Sequence, residues 1–110
     1  MIRNRGKVGK KQVMPQSVTD EIFAGGDKEQ FAKANYATLP GWSYRDMWWV
    51  TLNADGAIMA RGIHGQSIYI DPKAEMVIVR LASHPIAANG INDPITLPAY
   101  AAVAKALMRP

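Results

Sequence analysis

The chain has 110 residues, of which 48% are hydrophobic and 20% charged, and it contains no cysteine. That length fits one domain, and the apolar content is too high for a disordered chain. The apolar runs, such as residues 76–79, have the length of a strand and not of a membrane span. Without cysteine there is no disulfide scaffold, no Cys-based zinc site and no thiol nucleophile. The charged start, Met1-Ile2-Arg3-Asn4-Arg5, is not followed by an apolar stretch. No signal peptide is therefore expected, and the cytoplasm is the default compartment.

The net charge of +4 is uneven. Arg3, Arg5, Lys7, Lys10 and Lys11 fall in the first eleven residues with no acid among them. Thirteen basic residues less these five leaves eight, against nine acidic ones. A basic arm over residues 1–14 can bind phosphate or acidic lipid. It holds no aromatic side chain to stack on a base, so a solvated terminus is the simpler reading and nucleic acid is not the expected partner.

In chain order, residues 1–5 read as an incomplete helix end stopped at Gly6, followed by a basic turn to Val13-Met14. Pro15 opens a short N-terminal helix, with Asp20 and Glu21 early and Val18, Ile22 and Phe23 on one face. Gly25-Gly26 stops it, and Asp27 caps a short turn over residues 28–33. Residues 42–52, rich in aromatic and β-branched side chains, read as one strand. Asn53-Ala54-Asp55-Gly56 is a turn, and residues 57–61 are the next strand.

Gly62-Ile63-His64-Gly65 reads as a break or bulge. Residues 66–70 form a strand with Ile68 and Ile70 on one face and Ser67 and Tyr69 on the other. Asp71-Pro72-Lys73-Ala74 is a turn. Residues 76–82 are apolar on both faces except at Arg80 and read as a central strand. Residues 86–94 are a loop, and a last helix over residues 97–108 packs through Tyr100, Val103, Ala104 and Leu107. The connections are too short for parallel crossovers. The expected fold is α+β: an antiparallel sheet of three to four strands, a short N-terminal helix and a C-terminal helix packed on the sheet.

No complete catalytic constellation is legible. None of Ser17, Ser43, Ser67 and Ser83 is followed three residues later by lysine or sits in a G-x-S-x-G elbow. There is no P-loop and no dinucleotide fingerprint. The two histidines lie twenty residues apart, so neither a metal nor a cofactor is expected.

The stretch Gly62-Ile63-His64-Gly65-Gln66-Ser67-Ile68-Tyr69-Ile70-Asp71-Pro72, followed by Glu75-Met76-Val77-Ile78-Val79-Arg80, resembles the C-terminal part of serine β-lactamase-like hydrolases. That family includes class C β-lactamases, penicillin-binding esterases and 6-aminohexanoate-dimer hydrolases. Trp48-Trp49-Val50 and Ala82-Ser83-His84-Pro85 look most like the last branch, and Gly9-Lys10-Lys11-Gln12-Val13-Met14-Pro15 resembles the segment before a late helix in the same family.

The resemblance implies one partial domain over residues 1–110, with a β-lactamase/transpeptidase-like fold. It also implies a complete domain of about three times this length. The family's S-x-x-K nucleophile and Y-x-N-type motif are absent, and Ala57-Ile58-Met59 stands where K-T-G would lie. The chain is thus expected to be a C-terminal portion of a hydrolase of amides or esters, with no catalytic residue of its own and inactive alone. A complementing N-terminal half, or self-association through an exposed strand edge, would be its partner. A non-enzymatic oligomerising domain is the alternative.

By the same resemblance, Trp49, Gly62, Ile63, His64 and Gly65 form a substrate-pocket wall. Of Trp48 and Trp49, which point to opposite faces of a strand, Trp49 is assigned to the pocket. His64 reads as a pocket hydrogen-bond donor or as a turn histidine bonded to local backbone, and His84 as a strand-end residue. Gly62 and Gly65 serve backbone geometry. Arg80 is expected to pair with an acid across the sheet.

Overall fold

A computed structural model describes all 110 residues. A five-stranded antiparallel meander forms the sheet, in spatial order β3-β4-β5-β6-β7: β3 (Ser43–Arg45), β4 (Trp48–Val50), β5 (Ile58–Arg61), β6 (Ser67–Asp71) and β7 (Met76–Arg80). Ahead of it lie a two-stranded hairpin, β1 (Lys7–Val8) with β2 (Lys11–Gln12), and two helices, α1 (Gln16–Ala24) and α2 (Lys28–Lys33). The helix α3 (Asp93–Leu107) closes the chain. The α+β class and the antiparallel sheet are as the sequence implies.

Strand parity divides the core in two. On one face, Ala57, Met59, Tyr69 and Met76 pack with Phe31 of α2 and with Tyr100 and Ala104 of α3. The Tyr69 and Tyr100 rings lie 5.2 Å apart, and Ser67 Oγ and Tyr100 OH share a buried hydrogen bond of 2.9 Å. On the other face, Val50, Ile58 and Ile70 pack against Ile22 of α1. Asp27 caps α2 as expected, its Oδ1 accepting from the backbone N–H groups of Glu29 and Gln30.

Several expectations are corrected. The single strand over residues 42–52 is a hairpin, because Asp46 and Met47 adopt left-handed conformations (φ 49° and 69°) that reverse the chain in two residues. The sheet therefore has five strands and not three or four. The strand at residues 76–82, expected to be central, is an edge: β7 pairs only with β6. Its apolarity on both faces comes from covering by α3 on one side, while Val77 and Val79 on the other are exposed.

The helix α3 starts at Asp93, because Pro94 in the first turn suits a helix start better than Pro98. Its buried line runs Asp93, Thr96, Tyr100, Ala104, which turns Val103 and Leu107 to solvent. In α1, Thr19 and Ile22 are buried and Val18 is exposed.

The basic turn is the β1–β2 hairpin, fixed by Gly6 and Gly9 at positive φ and by Gln12 Nε2 donating to the Arg5 carbonyl at 2.8 Å. Two of the five cations in the first eleven residues, both ahead of the hairpin, are used internally. Arg5 pairs with Asp20 at 3.2 Å over the Phe23 ring, and Arg3 donates to the Glu75 carbonyl. No helix is long and apolar enough to cross a membrane.

Candidate functional site

The break between β5 and β6 is a 3-10 turn, Ile63–Gly65, entered from the extended Gly62. His64 (φ 56°) and Gly65 (φ 87°) both lie in the left-handed region. A Cβ on Gly65 would overlap the His84 imidazole, so only glycine fits there. The turn is clamped by the segment after β7. Asn89 accepts from Gly65 N–H at 3.0 Å and donates to the Gly62 carbonyl at 2.7 Å. His64 N–H donates to the Ala87 carbonyl, and Gly62 N–H to the Gln66 carbonyl, both at 3.0 Å. Three of the turn's amides are thus spent inside the fold, so the turn offers its surface more than its N–H groups.

Beside it opens a cleft of about 470 Å³, walled by Tyr36, Trp49, Gly62, Ile63 and Asn89. Its floor is an ion pair. Arg61 Nη2 donates to both carboxylate oxygens of Asp93, at 2.9 and 3.0 Å, and the two side chains are 7% and 4% exposed. Thr38 Oγ1 donates to Asp93 Oδ2 at 2.6 Å. The guanidinium lies 5.3 Å from the centroid of the Trp49 ring and 5.8 Å from that of Trp42. A charge so buried persists because it is paired and hydrogen-bonded. Trp49 is held in turn by Phe31, Tyr36 and Tyr44, with centroids 5.9, 5.1 and 5.3 Å away. The result is an aromatic wall over a buried polar floor, the usual make-up of a small-molecule site.

Trp49, Gly62 and Ile63 therefore meet in one cleft. His64 and Gly65 do not line it. His64 faces a separate groove of about 440 Å³ with Gln66, Ser83 and His84. Its Nδ1 is 2.7 Å from the His84 carbonyl. A carbonyl only accepts, so Nδ1 carries a proton. This is the local-backbone alternative for His64. Trp48 lies on the opposite face of the sheet, beside Val50 and Ile58.

Arg80 finds no acid. It donates to the Gly65 carbonyl at 2.7 Å and to Thr96 Oγ1 at 2.8 Å, because α3 brings a hydroxyl and not a carboxylate to it. The residues that sequence reasoning missed are Arg61, Asp93, Thr38 and Asn89. Arg61 ends an apolar strand and Asp93 precedes a helix-opening proline, but nothing local shows that residues 32 apart meet. No group of three or more His, Cys, Asp or Glu side chains is placed to hold a metal.

The chain is 36% identical over 75 residues to the 6-aminohexanoate-dimer hydrolase of Paenarthrobacter ureafaciens, a match covering 67% of this chain and 19% of that protein. It superposes with a TM-score of 0.76 and 32% identity on a solved structure from Bacillus anthracis, provisionally named a 6-aminohexanoate-dimer hydrolase. That match covers 96% of this chain and 26% of the other. The chain corresponds to a C-terminal portion of the 6-aminohexanoate-dimer hydrolase family. No family model matches it. The matched residues span about a fifth of the curated hydrolase and a quarter of the solved one. The hydrolase-like sheet, its C-terminal helix and the turn at Gly62–Gly65 are all present in this portion.

Proposed function

We propose that these residues supply the sheet and one wall of the acyl pocket of a serine hydrolase that cleaves amides or esters through an acyl-enzyme. The nucleophile comes from outside this chain. In such a reaction a serine oxygen attacks the substrate carbonyl, the amine or alcohol leaves, and water hydrolyses the ester formed. The wall's task is to hold the acyl chain in place while that happens. The observation that carries this reading is the cleft itself: the Trp49 ring and the Gly62–Ile63 turn meet over the desolvated Arg61–Asp93 pair.

The serines support the assignment of the nucleophile to another segment. Ser43 accepts from Gly26 N–H and Ser67 bonds Tyr100, so neither is joined to a base. Ser83, which shares a groove with both histidines, has no hydrogen bond to either. The pure chain should therefore leave nitrocefin, p-nitrophenyl esters and the linear dimer of 6-aminohexanoate uncleaved. Turnover above a heat-killed control would contradict this.

The wall is tested by binding. Titration with the linear dimer at millimolar concentration should shift the Trp49 indole and the Gly62 and Ile63 amides in an NMR spectrum. The Trp48 indole should stay in place. Shifts confined to another surface would place the substrate elsewhere.

The uncovered edge of β7 has room for either partner expected from the sequence, a complementing N-terminal half or, in the oligomerising alternative, a second copy. It concerns a different surface from the cleft.

A further inference from the structure

Arg61 and Asp93 are the two charged side chains of the cleft, and no other charged side chain lines it. They cancel each other. Arg61 Nη2 donates to both carboxylate oxygens of Asp93, in the place a ligand's carboxylate would otherwise take. The same guanidinium lies over the Trp49 ring, in the place a ligand's ammonium would otherwise stack.

The surroundings keep the pair closed. Asp93 stands in the first turn of α3, where the helix dipole favours an acid, and Thr38 Oγ1 donates to its Oδ2. Arg61 is carried by β5, with its Nη1 3.8 Å from Met59 Sδ. Both side chains are more than nine-tenths buried. Neither can turn to a ligand without leaving the other charge buried and unpaired.

We propose that Arg61 and Asp93 make the cleft selective for an uncharged stretch of its ligand, each setting specificity by silencing the other. An ionised carboxylate entering the cleft meets Asp93 beside Arg61, and an ammonium meets Arg61 beside Asp93. In both cases attraction to one is offset by repulsion from the other, and the ion gives up its water with no counter-charge in return. Methylenes lose nothing of the kind. They cover the Trp49 ring and Ile63, which is 66% exposed. An alkyl chain ending in or interrupted by an amide is therefore the ligand that this wall fits. The inference rests on the acyl-pocket reading for the place of the cleft in the reaction. On that reading, the charged ends of a chain cut at a central amide lie beyond this cleft.

Three straight-chain probes that differ only in their end group test the selection: hexanamide, hexanoate and hexylammonium. Each is titrated into the 110-residue chain at neutral pH and followed at the Trp49 indole N–H by NMR. Hexanamide should bind about tenfold more tightly than either ion. Asp93→Asn keeps the shape and removes one charge, so hexanoate should gain about tenfold and become the preferred probe. Arg61→Gln should shift the preference to hexylammonium by a similar factor. The double variant, uncharged again, should return to hexanamide. A merely structural pair would instead lose all three probes together in each single variant. Circular dichroism checks that the variants fold, and should a single variant not fold, the wild type and the double variant decide.

Equal affinity of the wild type for the three probes would overturn the inference, as would loss of all three in both folded single variants. A Trp49 indole that moves with hexanamide but not with the linear dimer of 6-aminohexanoate would overturn the hydrolase reading and leave the charge selection standing. An indole that none of the probes moves would overturn both.

Discussion

The two edges of the sheet are built on opposite principles. At the β3 edge the strand is three residues long, and the loop after α1 lies against it. Gly26 sits so close to Tyr44 that a Cβ there would overlap the Tyr44 carbonyl oxygen, and its N–H donates to Ser43 Oγ at 3.1 Å. Arg45 at its end is paired with Glu21 of α1. At the β7 edge the strand is longer, and Val77 and Val79 stand in solvent. One edge is closed by chain that precedes it by fewer than twenty-five residues. The other is closed by nothing in these 110. An edge shielded by local sequence is finished as the chain folds, whereas the β7 edge is left unpaired in a chain that spans about a quarter of its solved relative.

The largest effect is expected from the pair that ties the cleft face together. Asp93→Ala leaves Arg61 charged and buried without a partner and should cost about 3–5 kcal/mol. Urea denaturation measures it, and a loss under about 1 kcal/mol would show that the pair is not desolvated in solution. Gly26→Ala attacks the closed edge. The new Cβ forces the loop off β3, at about 1–3 kcal/mol. Gly90→Ala, where a Cβ meets open space, should stay within about 0.5 kcal/mol and serves as the control. Equal effects from the two would mean that the β3 edge is not sealed by close approach.

Asn89→Ala removes two hydrogen bonds from the Gly62–Gly65 turn, a loss of about 1–2 kcal/mol. The loss should be accompanied by faster amide exchange at Gly65. Unchanged exchange there would remove Asn89 as the clamp.

Tyr69, between the two edges, gives the pH signature. Burial, and next the Asp71 carboxylate, raise its pKa above the ordinary 10. Below pH 10 the phenol is neutral in both folded and unfolded chains and contributes nothing to pH dependence. Above that, the unfolded chain ionises first, so stability falls as pH rises from about 10. Tyr69→Phe should flatten that part of the profile, and an equally steep fall in the variant would assign it to another group.

Much of this was legible in the sequence, and the misses share a cause. Turn chemistry announced itself wherever glycine, proline or asparagine carried it. Asn53 accepts from Asp55 and Ala57 N–H, and Asp71 Oδ1 from Ala74 N–H, as such residues do. The Asp46–Met47 turn stayed hidden because methionine rarely adopts a left-handed conformation. An apolar strand such as residues 76–80 reads alike in the centre of a sheet and at an edge awaiting a neighbour, since periodicity records what a side chain can cover and not whether it is covered. Trp49, Gly62 and Ile63 were singled out through resemblance and local pattern, and they line one cleft. Arg61 and Asp93 were not, because an ion pair between a strand end and a helix start exists only once α3 has docked.

Amide hydrogen exchange on dilute protein tests the contrast between the edges most directly. The account predicts protection near the global unfolding limit along β6, which is paired on both sides. Along β7 it predicts alternation, with inward amides slow and outward amides fast. Uniform protection of every β7 amide at the lowest concentration would contradict it, because the edge would then be covered within a single chain.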